Sequence, residues 1–379
     1  MFKFVYGIIK KMKTLTVSDN KTLKKFVLLP DELYRGDDKY VPYMLRDLTN
    51  TLKRLLFKDK TYTALIVTDG DKTLARVLFT ITKNKQLHTE KCCFFCMFEC
   101  VNEQAVCNAM LDEMVRQAKQ QGAEYISGTY FPFDQDNRRG ILCHGFDRAP
   151  LIFTSYNPPY YNDLLQNYGL AKQTDALEYE LKRNEVDDSR VARIAEFVQK
   201  KYNFRVDTIN WNNIDRDVKD VHTVMQRATN EIIYQDAPSV EVLYNIVSQW
   251  KAYLNKDFIL IARSNVDDSP IGVAMALPDF FQVFRKMRGR MDLRGIVAFL
   301  REKNKIRSVR AIMQYAVPEY QNKGAIVALY HAMIQSADKH GITYAEAGTV
   351  MENNQQSNGA LLALGGKLAR VYRIYYKEI

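Results

Sequence analysis

The residues best placed to do chemistry lie between 312 and 335. Val309 to Val317 carries β-branched and apolar side chains and reads as a strand. Pro318 stops it, because proline has no N–H to give to a ladder. Gln321-Asn322-Lys323-Gly324 is polar and turn-prone. From Ala325 onward, apolar residues recur at Ile326, Leu329, Tyr330, Met333 and Ile334, a helical spacing. A helix that begins inside a polar loop presents free backbone N–H groups and about half a positive charge. Lys323 adds a full charge, and Gly324 lets a ligand or another backbone come close. The combination is an anion site suited to phosphate or pyrophosphate. The bland alternative is an ordinary strand-to-helix connection with a solvated lysine.

Other polar clusters bound the chemistry. Residues 130–156 form a long loop with aromatic and polar groups, followed by Tyr156-Asn157-Pro158-Pro159-Tyr160-Tyr161. Such a loop suits a substrate wall, with Tyr156, Asn157 and Tyr160 as contacts, or a packed surface loop. Cys92, Cys93, Cys96 and Cys100 bring zinc to mind. Phe94, Phe95, Met97 and Phe98 between them belong to a buried strand, and alternation sends Cys93 and Cys96 to opposite faces. No second CxxC or spaced histidine pair follows, so no metal is expected. The six cysteines read as reduced thiols of a cytoplasmic protein, since the start lacks a signal-peptide pattern.

The elements that must position these residues follow an α/β order. The chain has 379 residues, 47% hydrophobic and 26% charged, enough for two globular domains. The net charge of +10 suits a polyanionic cofactor, an anionic membrane surface or nucleic acid. No apolar run is long enough to span a bilayer. Residues 1–12 read as a leader into a strand at Thr14–Val17. Helices are expected over Leu23–Leu33 and Val41–Leu56. Strands over Tyr62–Thr68 and Thr73–Thr82 are joined by an Asp69-Gly70-Asp71 turn. A strand over Lys91–Glu99, a helix over Glu103–Gln120 and a strand over Glu124–Thr129 complete the first half.

The charged stretch 181–190 marks a boundary, giving domains 1–183 and 184–379. The second half repeats the order. Helices are expected over Val191–Tyr202, Val218–Ile233 and Ser239–Tyr253. Strands are expected over Phe204–Ile209, Asp257–Arg263 and Pro270–Leu277. After the strand and helix described first come a strand over Ile342–Thr349, a helix over Asn353–Leu364 and a strand over Lys367–Lys377. Asn157, Leu164-Leu165, Gly169 and Tyr179 recur at the same spacing as Asn354, Leu361-Leu362, Gly366 and Tyr376, as a duplicated domain would show.

An insertion at 279–305 interrupts the second half. Residues 280–310 hold ten basic residues against Asp292 and Glu302, interleaved with Phe280, Phe281, Phe284, Leu293, Ile296 and Leu300. Basic amphipathic helices suit an anionic membrane surface, which would make the protein peripheral at the inner membrane face. The alternative is a helix pair covering the core. No nucleic-acid motif accompanies the basic residues, and none is expected as a partner.

The second half resembles the GNAT superfamily of N-acyltransferases. The resemblance rests on Val317-Pro318-Glu319-Tyr320-Gln321-Asn322-Lys323-Gly324-Ala325, the helix after it and the segment Asn354 to Tyr376. In that family a loop of pattern Gln/Arg-x-x-Gly-x-Gly/Ala cradles the coenzyme A pyrophosphate. Gln321 and Gly324 match, and Ile326 stands at the sixth position. The whole chain also resembles two-domain GNAT-like proteins that include bacterial ceramide synthases, through Gly145-Phe146-Asp147, residues 156–161, Ala276-Leu277-Pro278-Asp279, Lys286-Met287-Arg288-Gly289-Arg290 and Tyr372-Arg373-Ile374-Tyr375. The resemblance implies an α/β fold of two tandem GNAT-like domains, each a mixed, mostly antiparallel sheet flanked by helices. It implies an acyl-CoA-dependent N-acyltransferase that moves an acyl group, a long fatty chain in the narrower group, to an amine such as a sphingoid base.

Coenzyme A would be held by Val317, Gln321, Asn322, Lys323, Gly324, Ala325 and Asn354. Glu346 and Glu352 are candidate bases beside the central strand; because Leu361 takes the family's usual tyrosine position, Tyr315, Tyr372 and Tyr375 are the candidate acids. Rival readings are a peptidoglycan-type aminoacyltransferase and a catalytically degenerate binding module of the same fold.

Overall fold

The computed structural model describes residues 12–85, 87–129, 138–229, 237–251 and 254–379. The leader before Met12, most of the aromatic start of the long loop, and the ends of the helices expected to reach Ile233 and Tyr253 lie outside the described residues. In chain order the elements begin with β1 (Met12–Thr16), α1 (Asn20–Leu33), α2 (Leu45–Lys53), β2 (Thr63–Asp69), β3 (Lys72–Asn84) and β4 (Thr89–Cys100). Next come α3 (Gln104–Gln120), β5 (Tyr125–Gly128), β6 (Ile141–His144), α4 (Tyr160–Asn167) and β7 (Ala171–Lys182). The second half holds α5 (Asp188–Tyr202), β8 (Phe204–Thr208), α6 (Ile214–Thr229), α7 (Val240–Trp250), β9 (Ile259–Ser264) and β10 (Pro270–Pro278). It ends with α8 (Phe281–Met287), α9 (Leu293–Glu302), β11 (Ser308–Ala316), α10 (Ala325–Lys339), β12 (Tyr344–Met351), α11 (Gln355–Ala363) and β13 (Lys367–Glu378).

In the first compact unit, β1 to β4 form an antiparallel series. β4 then runs parallel to β5, from Cys92 beside Tyr125 to Phe95 beside Gly128. The expected hairpin forms, with Asp69 opposite Lys72. One face of this sheet packs on α3 through Cys93, Phe95, Cys107, Met110 and Met114. The other packs on α1 through Cys96, Leu78, Leu23 and Phe26. Cys93 and Cys96 thus point to opposite faces, and burial pushes both thiols up, which keeps them unreactive.

The second unit repeats this plan. β8 to β11 are antiparallel, and β11 runs parallel to β12, from Ser308 beside Tyr344 to Ala311 beside Ala347. Ala195 and Val198 of α5 meet Ala328 and Leu329 of α10 in one core cluster. Val218 and Met225 of α6 meet Leu243 of α7, Met313 and Tyr315 in another. A large mixed sheet flanked by helices, built twice, is the α/β architecture expected.

The division between units is not the linear one expected at 183/184. The first unit runs to Ala176 and also takes Val283–Leu300 and Val371–Ile379. The second takes Leu177–Gln282 and Arg301–Arg370. The cause is strand exchange. The end of β13 pairs antiparallel with β5, from Tyr375 beside Gly128 to Glu378 beside Tyr125, while β7 lies next to β12. Each unit is completed by a strand from the other half of the chain. Two smaller differences accompany this. Residues 141–144, expected in a loop, form β6 because β13 offers them an antiparallel partner. The positive-φ glycine after α11 is Gly365 (φ 89°) rather than Gly366, matching Gly169 (φ 90°) after α4.

Because β5 would be left with an unpaired edge, a fragment of residues 1–183 is expected not to fold by itself. Supplying residues 371–379 in trans as a peptide should raise its protection in amide hydrogen exchange. A fragment 1–183 that unfolds cooperatively in urea without the peptide would contradict the exchanged-strand assignment.

Candidate active site

The loop read first from the sequence forms as expected, with one turn of 3-10 helix at Pro318–Tyr320 leading into it. Gly324 is the N-cap of α10 and has φ 75°. A Cβ there would also meet Val198 Cγ1 at 2.7 Å, so only glycine fits without displacement. The first helical N–H bond into the loop is Ala328 to the Gly324 carbonyl at 3.1 Å. The N–H groups of Ala325, Ile326 and Val327 lie ahead of it, in the anion-binding position of a helix start. Lys323 Nζ sits 4.7 Å from the Tyr320 ring centroid and 5.6 Å from that of Tyr202. These rings hold the cation at the loop. Gln356 Nε2 donates to the Gln321 carbonyl at 3.3 Å and to Asn322 Oδ1 at 3.4 Å, tying the loop to α11. Ile326, at the family's small-residue position, turns its side chain into the core clusters of α10.

Two strands lead from this loop into the unit. Pairing between β11 and β12 ends at Ala311 and Ala347, although β11 continues to Ala316 and β12 to Met351. Among the described residues the two strands therefore part into a fork. Ile312 is the extra residue of a β-bulge, since Ala311 faces Ala276 and Met313 faces Met275. A bulge bends its strand and re-aims the residues beyond it. Val317 N–H donates to the Ile271 carbonyl at 3.0 Å. By antiparallel alternation, the N–H groups of Gln314 and Ala316 then point away from β10, into the fork.

On one face of the fork lies a buried charge cluster. Register puts Arg310 beside Glu346 and, through β10, on the face of Met313 and Tyr315, which α6 and α7 cover. Glu346 is 0% exposed. Its Oε1 accepts from Tyr344 Oη at 2.6 Å and from Arg370 at 3.3 Å. Its Oε2 has no hydrogen-bond partner among the described residues. Arg310 Nε donates to Glu178 Oε1 at 3.2 Å and another of its nitrogens to the Gly348 carbonyl at 2.9 Å. Arg370 lies 4.0 Å from Glu178 Oε2.

Burial, then the nearby charge of Glu178, push the Glu346 carboxyl up to about 8, against the lowering effects of Arg370 and the Tyr344 hydroxyl. A carboxyl that gains or loses its proton near neutrality is suited to proton transfer. Gly348 lets β7 come this close: a Cβ on it would lie 2.6 Å from the Leu177 carbonyl oxygen.

The structure sorts the expected site residues. Gln321, Asn322, Lys323, Gly324 and Ala325 share the loop. Val317 does not offer a free donor: its N–H is bound to Ile271 and its carbonyl accepts from Tyr320 N–H at 2.8 Å. Asn354 caps α11, accepting from Ser357 N–H at 3.0 Å. Glu352 is exposed in the turn after β12, whereas Glu346 is enclosed. Tyr315 packs toward α6 and α7.

Tyr156, Asn157 and Tyr160 belong to the first unit. Tyr156 Oη donates to Asp37 at 2.6 Å and Tyr160 Oη to the Cys100 carbonyl at 2.8 Å. Asn157 is buried, accepting from Leu142 N–H at 2.7 Å and donating to the Leu142 and Pro158 carbonyls. These bonds staple the loop to β6. Sequence reading missed Glu178, Arg310, Tyr344, Arg370 and Gln356. Tyr344 carried a local signal, two residues before Glu346 on the same strand face, but the others meet the site only through tertiary pairing.

No family model matches the chain. Protein YghO of Escherichia coli (strain K12) is 22% identical over 375 residues, covering 96% of this chain and 95% of that protein. The bacterial ceramide synthase of Caulobacter vibrioides is 22% identical over 386 aligned positions, covering 97% and 98%. Among solved structures, the GCN5-related glucosamine N-acetyltransferase region of a fungal multi-domain β-N-acetylglucosaminidase superimposes with a TM-score of 0.60 at 13% identity over 97% of this chain. The chain spans 38% of that larger protein. A tandem GNAT protein from the clavulanic acid biosynthesis pathway gives a TM-score of 0.56 at 10% identity, covering 97% and 98%. A GCN5-related N-acetyltransferase from Sphaerobacter thermophilus gives 0.54 at 8% identity, covering 96% and 95%. With its twice-built sheet, exchanged last strands and glycine-capped loop, the chain has the fold of the tandem GNAT-type N-acetyltransferases.

Proposed function

We propose that the second unit is an acyl-CoA-dependent N-acyltransferase that moves a long fatty acyl group to the amine of a sphingoid base. The observation that carries the acyl-transfer reading is Glu346, a fully buried carboxyl beside the β11/β12 fork, one oxygen of which has no hydrogen-bond partner among the described residues and whose proton affinity burial pushes up to about 8. The long chain and the amine class are supported by the ceramide synthase relative, which aligns over 97% of the chain.

The donor set fits coenzyme A. The helix-start N–H groups and Lys323 would take the pyrophosphate, with Gln321 and Asn322 at its edge, and the bound thioester supplies an activated acyl carbonyl. The remaining work falls to the chain's own residues. The Gln314 and Ala316 N–H groups, which point into the fork, would donate to the carbonyl oxygen as it gains negative charge. Glu346 takes the proton that the ammonium must lose before it attacks, directly or through one water; as the amide forms, the thioester C–S bond would break and the departing thiolate would leave as the thiol with the second proton of the amine nitrogen. A carboxyl near 8 is ionised often enough to accept that proton and basic enough to hold it. Tyr344, bound to Glu346 Oε1, holds the carboxylate orientation.

Calorimetric titration with coenzyme A, acetyl-CoA and palmitoyl-CoA below its micellar concentration tests this reading. Palmitoyl-CoA is expected to bind most tightly, and Lys323→Glu to weaken all three by roughly tenfold, about 1.4 kcal/mol. Tight binding of all three without chain preference would remove the long-chain substrate. No binding of any would overturn the coenzyme reading and leave the binding-module or aminoacyl-tRNA alternatives.

The protonation of Glu346 has a separate check in stability. Its folded value of about 8 lies above the ordinary 4.5, so between these pH values the fold holds a proton that the unfolded chain has lost. The resulting stability is fully present below 4.5 and is lost as pH rises to 8. Urea unfolding of wild type should therefore weaken relative to Glu346→Gln between pH 5 and pH 8. Parallel pH dependence in the two proteins would contradict the raised value.

A further inference from the structure

Helix α9 is almost wholly uncovered. Its sequence, Leu293-Arg-Gly-Ile-Val-Ala-Phe-Leu-Arg-Glu302, would ordinarily be buried on its apolar side. Instead Leu293 is 83% exposed and Leu300 59% exposed, with Ile296 and Val297 exposed between them. These positions are spaced i, i+3, i+4 and i+7, so the exposed residues form one continuous stripe along the helix. Met291, just ahead of the helix, is exposed as well. The residues turned inward are small or partly covered: Gly295 is buried, and Ala298 and Phe299 are half-buried. The helix presents its greasy face outward and packs by its other side.

The stripe is preformed rather than frayed. Asp292 Oδ1 accepts from Gly295 N–H at 2.9 Å, and the Asp292 carbonyl accepts from Ile296 N–H at 2.9 Å, fixing the helix start. Ahead of it, the Gly289 carbonyl accepts from Leu45 N–H at 2.9 Å, tying the turn between α8 and α9 to the start of α2. Binding through this face would cost little ordering entropy.

Charge selects the occupant. Arg294 and Arg301 flank the stripe on the helix itself, Arg288 and Arg290 lead into it, and all four are exposed. A second copy docked face to face by a twofold axis would bring these cations against their own counterparts, with little acid to answer them. At ten residues the helix is about 15 Å long, too short to cross a bilayer. No helix among the described residues is long and apolar enough to do so. An apolar stripe of this length with an arginine margin matches a helix that lies in the interface of an anionic bilayer, side chains in the acyl boundary and guanidiniums among the phosphates.

We infer that α9 and the turn before it dock the protein on the surface of a membrane rich in anionic lipid. The inference stands on this surface alone and does not depend on the acyl-transfer reading. Docking of this kind would also bring the fold into direct reach of bilayer-resident substrates.

The test is co-sedimentation of the full chain with vesicles of pure phosphatidylcholine and with vesicles containing about 30% phosphatidylglycerol, at low and high salt. Wild type should bind the anionic vesicles at least about tenfold more tightly than the neutral ones. The double variant Leu293→Asp/Leu300→Asp should lose binding to both, and Arg290→Glu/Arg294→Glu should lose the preference for anionic lipid. The substituted side chains are exposed, and matching circular dichroism melts will show that the variants fold. Absence of wild-type binding to anionic vesicles, or undiminished binding by the aspartate variant, would overturn the inference. So would equal binding to both lipids. A concentration-dependent dimer that the aspartate variant abolishes, without vesicle binding, would assign the face to a second copy instead.

Discussion

Glu346 can sit in the interior only because Arg370 reaches it at 3.3 Å and the Tyr344 hydroxyl at 2.6 Å. Two guanidiniums and two carboxyls, of Arg310, Arg370, Glu178 and Glu346, share this volume with almost no exposure. Each ion would cost several kcal/mol if buried alone. Glu178 is answered by both arginines, and Arg310 also spends a donor on the Gly348 carbonyl. Glu346 is left with less compensation than Glu178. Its second oxygen lacks a partner among the described residues, and its proton is held up to about pH 8. The cluster is stable as a whole and poised at one member, an arrangement suited to moving a proton.

That cluster depends on the strand exchange. Glu178 lies on the part of β7, and Arg370 on the part of β13, that belong to the second unit. Without them Arg310 and Glu346 would face each other across a single strand pair. The first unit follows the same plan but ends differently. Its buried carboxylate, Glu99, accepts from Tyr34 at 2.9 Å and Tyr161 at 2.7 Å on one oxygen and from Arg76 at 3.5 Å on the other. Both oxygens are engaged. The helix after β4 starts at Glu103 without a glycine cap, so a negative side chain stands where an anion would have to bind. These are the physical grounds for assigning the proposed chemistry to the second unit.

The features legible in the sequence were the local ones. The strand, loop and helix around Lys323 rest on proline, glycine and apolar period within a short stretch, and they formed as expected. Glu346 was reachable because a carboxylate inside a predicted strand is conspicuous. Its pairing with Arg370 and the closeness of Glu178 were not, since both arrive from partner strands that no local pattern specifies. Three of the expected site residues are engaged within the chain for one reason. Asparagine and strand-end backbone groups bind ligands and cap helices by the same hydrogen bonds, and in Asn157, Asn354 and Val317 the chain uses them on itself. In α9 the amphipathic period was legible, but only tertiary structure tells which side faces outward.

The role of Glu346 is tested most directly by the pH dependence of kcat/KM for thiol release from palmitoyl-CoA in the presence of a sphingoid base, for wild type and Glu346→Gln. Wild type should show a limb rising with pH and levelling off near pH 8, the value to which burial raises Glu346. The variant should lose about 10²–10⁴-fold in rate and the limb with it. A variant that keeps both the rate and the limb would contradict the assignment of Glu346 as the base and, with it, the central place of the buried cluster.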